Sequence, residues 1–232
     1  MHVPDGFLDL ATSTATAGVA ATAVGVALRG ARKELDERTA PMAGLVAAFI
    51  FAVQLLNFPV GAGTSGHLLG GAMAAVLVGP WTAVLCVSVV LIVQALLFAD
   101  GGITALGTNV TLLAVVAVGV GWVAFRISRR LLPGTPAAVA VAAGVGAFVS
   151  VPAAALVFAG LYAVGGTAPI DLTALVATML GWHTLIGVGE AAITGITVAS
   201  IVAVRPDLVH GARPVLAARQ LQLRNRPAEE PV

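Results

Sequence analysis

Charge is what this chain has least of. Only 10% of its 232 residues are Asp, Glu, Lys or Arg, against about 25% in a soluble domain, and 59% are hydrophobic. So few charges cannot cover a water-facing surface, which excludes a soluble globular fold. The mean hydropathy of +1.00 makes the bilayer the solvent, and closed helices are the cheapest way to satisfy backbone polar groups there. A net charge of +1 gives no argument for a nucleic-acid partner. The one cysteine, Cys86, rules out an intrachain disulfide and a thiolate metal cluster, and reads as a small buried residue. Aromatics are scarce at 5%, leaving little with which to stack an organic vitamin. There is no P-loop, so the chain does not itself hydrolyse ATP, and neither His-Glu-x-x-His nor Cys-x-x-Cys is present. The start, Met1 to Phe7, lacks the basic residues of a secretory leader. It is therefore expected to stay unprocessed, with the bulky His2 protecting Met1 from removal and the Met1 α-amine free.

What is present is a series of apolar segments, expected as an all-α transmembrane bundle of about seven helices. They run over Leu8–Leu28, Ala40–Phe58, Leu68–Val78, Trp81–Phe98, Val110–Phe125, Ala137–Val164 and Gly181–Val204. Small residues four apart, such as Ala43 with Ala47 and Ala48 with Ala52, suit close helix packing in lipid. The basic residues follow segments one, five and seven or lie in the tail, and these positions account for all 12 Lys and Arg. Placing them all in the cytoplasm puts the N-terminus outside and the C-terminus inside. Residues 1–205 then form the membrane domain, and 206–232 a polar cytoplasmic tail whose His210 is expected at the surface.

Segment three is too short. About 11 helical residues reach about 16 Å, roughly half of a 30 Å hydrocarbon core. The preceding Pro59–Gly66 must therefore enter the bundle as irregular backbone, tolerated only where protein buries it or it lines a cavity. That places His67 at an interior site. Gly61–Gly66 formally matches G-x-G-x-x-G, but a membrane helix precedes it where a dinucleotide fold needs a strand.

An N-terminal X-His pair is a ready chelator. The Met1 amine and His2 amide nitrogen close a five-membered ring on a metal, and the His2 amide with its own Nδ1 closes a six-membered one. Three coplanar nitrogens leave one in-plane position, for which His67 is the candidate. Tetragonal nitrogen coordination suits Ni(II) or Cu(II) better than tetrahedral Zn(II), with Co(II) less favoured. Binding should displace protons from the Met1 ammonium and the His2 amide. In segment seven, His183 and Glu190 share a face with Gly187 between them, and Asn109 and His183 are the nearest partners for Glu190. Either these groups orient the ligands or they form an interhelical clasp. Asp5, Asp100 and Asp171 make the outer side mildly attractive to cations.

Four separated stretches carry a likeness over about the first 200 residues. They are Met1–Leu8 (MHVPDGFL), Gly63–Leu68 (GTSGHL), Gln94–Asn109 (QALLFADGGITALGTN) and His183–Ala191 (HTLIGVGEA). In these the chain resembles the CbiM/NikM family, the substrate-capture (S) components of energy-coupling-factor transporters for cobalt and nickel. The resemblance implies a seven-helix S component with its N-terminus inserted into the bundle from outside. It implies that Met1, His2 and His67 hold the ion, with Thr64 and Ser65 of the histidine motif beside Asn109, His183 and Glu190 as supporting groups. The implied partners are a transmembrane coupling (T) subunit, two cytoplasmic ATPases and a separate small accessory membrane protein, all at the cell membrane. Val3 and Thr108 depart from the family's usual Ile and Ala; neither is a proposed ligand. Two other classes stay open. An S component for an organic micronutrient would need stacking aromatics, and an intramembrane metal-dependent hydrolase would need Glu190 and His183 beside the metal.

Overall fold

A computed structural model describes residues 1–37, 39–61 and 64–217, with only the backbone of Thr64. Each of the seven apolar segments carries a helix. These are α1 (Leu10–Ala31), α2 (Ala40–Gln54), α3 (Gly71–Val78), α4 (Pro80–Leu97), α5 (Leu106–Leu131), α6 (Pro136–Gly165) and α7 (Leu172–Val204). Five of them, α1 and α4–α7, are long and apolar enough to cross a membrane. The protein is thus a multi-pass α-helical membrane protein. Its outward faces carry the apolar side chains a soluble protein would hide, including Leu131 at 81% and Val204 at 78% exposure.

The central element is the shortest. All eight residues of α3 are buried, as a helix apolar on every side must be. It packs against α2, α4, α5, α6 and α7, so it acts as a plug inside the bundle. At its start Gly70 has φ +76°, and a Cβ there would stand 2.8 Å from Ile50 Cγ1. Only glycine meets both conditions.

The chain entering α3 is more regular than its composition suggests. Phe58–Gly61 (β1) and Thr64–Gly66 (β2) pair as a short antiparallel hairpin, with Phe58 opposite Gly66 and Pro59 opposite Ser65. Hairpin pairing satisfies backbone groups that an irregular loop at this depth would leave open. Segment seven starts at Leu172, not Gly181, because the Asp171 carboxylate accepts from Ala174 N–H at 2.8 Å and caps the helix there.

The tail also departs from expectation. Two 3-10 turns, Pro206–Leu208 and His210–Ala212, fold back under the bundle, burying Val209, Ala212 and Val215. His210 stacks obliquely on Trp122, with ring centroids 5.6 Å apart, instead of standing in solvent. Residues 218–232 of the expected tail lie outside the described residues.

Candidate metal centre

The first nine residues are a strap threaded into one end of the bundle. Met1, His2 and Val3 are at most 9% exposed. Val3 is fixed from two directions. Its N–H donates to Asn109 Oδ1 (2.7 Å), and its carbonyl accepts from Asn109 Nδ2 (3.1 Å) and Gly102 N–H (2.9 Å). Asp5 accepts from Thr104 N–H (2.7 Å), while Phe7 and Asp9 bond to Thr167 and Gly165 (3.1 and 2.7 Å). The α4–α5 loop and the end of α6 with the loop after it therefore both hold the strap. Asn109 opens a π-helical turn, Val110–Val116, a local irregularity that often marks functional positions. The Asn109 amide thus serves the strap, not Glu190 as the sequence suggested.

His67 reaches the same interior point from the hairpin. Its ring lies 4.4 Å from that of His2, centroid to centroid, in a stacked arrangement 25° from parallel. Its Nδ1 donates to the Leu68 carbonyl at 2.8 Å, so Nε2 carries the lone pair. His183 is set likewise, with Nδ1 on the Met179 carbonyl at 2.8 Å. The Nε2 atoms of His2, His67 and His183 are all buried with no hydrogen-bond partner. A buried polar atom left unpaired costs about 1–3 kcal/mol, and two of these three lie on the stacked rings of His2 and His67. Among the described residues, no three His, Cys, Asp or Glu side chains gather closely enough to hold a metal ion by themselves. A metal centre here has to recruit backbone nitrogen. Burial lowers the Met1 ammonium to about 4, with Asp100 opposing it, so the amine is unprotonated at neutral pH and ready to donate.

Glu190 does not touch this centre. Its two oxygens accept from Leu69 N–H (2.7 Å) and Gly70 N–H (2.8 Å), at the start of α3. A helix N-terminus favours such a carboxylate. Gln54 completes the clamp by donating Nε2 to the Leu69 carbonyl at 2.8 Å. The backbone after His67 is thereby locked by both Glu190 oxygens, whereas a hydrolase would require this carboxylate beside the metal. Replacing Glu190 with Gln turns one acceptor into a donor facing an N–H. Thermal unfolding should then show a loss of about 1–3 kcal/mol together with weaker ion binding.

A cavity of about 450 Å³ opens beside the centre, lined by His2, Pro4, Asn57, Ser65, Asp100 and Gly101 among others. Ser65 stands at this mouth, and the Thr64 side chain lies outside the described residues. Asp5 is exposed on the strap and Asp171 caps α7. Of the three carboxylates expected on the outer side, Asp100 reaches a candidate ligand, accepting from His2 Nδ1 at 2.9 Å. The pairing of His2 with Asp100 spans 98 residues and leaves no local sequence signal. Gln94 was missed as well, although it is fully buried with neither side-chain amide atom partnered.

The family model described as the cobalt uptake substrate-specific transmembrane region (CbiM) matches residues 2–208. A Haloquadratum walsbyi protein with a provisional metal-transport name is 42% identical over 210 residues, covering 90% of this chain and 93% of that one. The fused nickel transport protein NikMN of Rhodobacter capsulatus is 34% identical over 236 residues, covering 96% of this chain and 68% of its own. Two solved structures of a transition metal transporter, one of them truncated, align with TM-scores of 0.81 at 30% identity. They cover 88% and 97% of this chain, and 99% and 100% of their own.

Proposed function

Because the chain belongs to the CbiM family of cobalt uptake substrate-specific transmembrane proteins, we propose that it is the ion-capture subunit of an energy-coupling-factor transporter for Ni(II) or Co(II). That it is a non-catalytic, multi-pass cobalt/nickel transport protein of CbiM/NikMN type follows from the family and its relatives. The finer reading is that the ion sits on four nitrogens: the Met1 amine, the His2 amide and imidazole, and His67 Nε2. The observation that carries it is the meeting of a buried chain start with the stacked imidazoles of His2 and His67, the second presenting a buried Nε2 that has no partner. A T subunit, two ATPases and a small accessory protein are the proposed partners, with the strap facing outward and the basic helix ends in the cytoplasm.

Four planar nitrogens favour nickel. Co(II) stays the second candidate, since the relatives include a cobalt transport protein CbiM from Sorangium cellulosum, 39% identical over 133 residues. Calorimetry on the purified chain with Ni(II), Co(II) and Cu(II) tests this reading. His67→Ala should weaken nickel binding by at least about 100-fold, beyond the 10–100-fold typical of a supporting residue. Wild-type affinity in that variant would overturn the ligand set.

The buried amine also changes the expected proton count. With Met1 already unprotonated, only the His2 amide proton leaves at neutral pH, one proton where the sequence suggested two. Affinity should then fall about tenfold per pH unit as pH drops. Calorimetry in buffers of different ionisation enthalpy reads the count directly, and two protons per ion would contradict a neutral amine.

A further inference from the structure

The end of the bundle away from the strap carries a second pocket of different chemistry. Its volume is about 400 Å³, and Arg126 in its wall lies about 25 Å beyond Asn109 along α5. Trp122, Arg126, Arg129 and Arg130 line it from α5, and His210 and Arg213 line it from the returning tail. Helical spacing puts the α5 group on one face. The tail wall is firmly seated. Val209, Ala212 and Val215 are buried, and a Cβ at Gly211 would stand 2.7 Å from Phe125 Cζ and 3.2 Å from Val76 Cγ1 of α3. The tail thus rests directly on α5 and on the plug.

The positive-inside rule explains basic residues at one end of a bundle, but not four guanidiniums around one concavity. Among the described residues, no Asp or Glu lines the pocket. The Glu34 carboxylate is committed elsewhere, accepting from Trp81 N–H, Thr82 N–H and Thr82 Oγ1 at 3.3, 2.7 and 2.9 Å. Arg129 donates to the Pro133 carbonyl at 3.0 Å, and Arg213 to the Glu34 backbone carbonyl at 3.4 Å. These acceptors are neutral and leave both charges unbalanced. His210 also brings a buried Nδ1 that has no hydrogen-bond partner. A cleft lined by one sign of charge concentrates counter-ions, and the guanidinium fork matches phosphate oxygens in pairs. One residue further round α5, Val123, Ile127 and Leu131 form an exposed apolar strip beside the arginines. A ligand that meets both surfaces is an amphiphile with an anionic head.

We propose that this pocket binds the phosphate headgroup of an anionic phospholipid, held by Arg126, Arg129, Arg130 and Arg213, with its acyl chains along Val123, Ile127 and Leu131. Basic pockets between helices at a cytoplasmic membrane face take phosphate headgroups in this way. Trp122 sits at the border of head and chain, the usual depth of an interfacial tryptophan. The bound headgroup joins α5 to the tail, so binding stabilises the folded chain.

The test is native mass spectrometry of the purified full chain in detergent, titrated with phosphatidylglycerol or with phosphatidylcholine of the same acyl chains. Phosphatidylglycerol should bind at a single site, about tenfold or more tighter than phosphatidylcholine. Arg126→Gln combined with Arg130→Gln should weaken it about 30-fold, each cation near an anionic lipid contributing about 5-fold. Arg29→Gln combined with Arg32→Gln removes the same charge from exposed residues outside the pocket and should leave the affinity near wild type. Phosphatidylglycerol should also raise the thermal unfolding midpoint of the wild type more than that of the Arg126/Arg130 variant. Equal losses in the two double variants would mean diffuse surface charge and overturn the site, as would equal affinity for the two lipids. Displacement of phosphatidylglycerol by an equal concentration of inorganic phosphate would mean a free-anion site and overturn the lipid assignment.

Discussion

One alanine placed ahead of Met1 should abolish high-affinity ion binding while leaving the fold intact. The added residue turns the Met1 amine into an amide, removing one terminus of the fused chelate rings. It also has nowhere to go, because Met1 is 2% exposed and Val3, two residues on, is pinned by three hydrogen bonds. Losing one ligand of four and displacing a second should cost more than about 100-fold in affinity, the upper range seen for supporting residues. Calorimetry gives the affinity, and circular dichroism with size-exclusion chromatography shows whether the bundle survives. Substituting Val3, whose side chain carries no donor, by Ile should leave binding close to wild type. A wild-type affinity in the extended protein would refute the N-terminal chelate.

Gly102→Ala should have nearly as large an effect from outside the ligand set. A Cβ at Gly102 would collide with the Asp5 backbone nitrogen and stand 2.7 Å from the Pro4 carbonyl carbon. These are backbone atoms with no rotamer to adopt, so the strap itself must move. Gly102 also donates the hydrogen bond that holds the Val3 carbonyl. An ångström of misplacement in a preorganised site costs about 100-fold, and nickel affinity should fall on that scale. Gly119→Ala is the control, since a Cβ at Gly119 meets nothing within 4 Å. Equal affinity in the two variants would mean that the strap is not positioned by this contact.

How much of this was legible follows from what kind of signal each feature leaves. Hydropathy located the seven helices α1–α7, because lipid and a packed core both demand apolar side chains. The short third segment correctly put His67 inside. Its exact partner elements were less visible: the Phe58–Gly66 hairpin is rich in glycine and proline and shows no alternation, so its pairing came only with coordinates. The start of α7 was misplaced because Leu172–Leu180 includes threonines that weaken the apolar run. At the centre, Met1, His2 and His67 could be proposed because chelate rings are local chemistry. Asn109 on Val3, Glu190 on Leu69 and Gly70, and Asp100 on His2 join positions about 100 residues apart. Nothing in one sequence encodes such pairings except the presence of polar groups in apolar surroundings. That signal was read for Glu190 and His183, but not for Gln54 and Gln94.

X-ray absorption at the nickel edge of the loaded, purified protein tests the central claim most directly. Four nitrogen neighbours in a planar arrangement are expected, with the multiple-scattering signature of two imidazoles. His67→Ala should remove one imidazole from that signature. A six-coordinate spectrum dominated by oxygen, unchanged by His67→Ala, would contradict an ion held by Met1, His2 and His67.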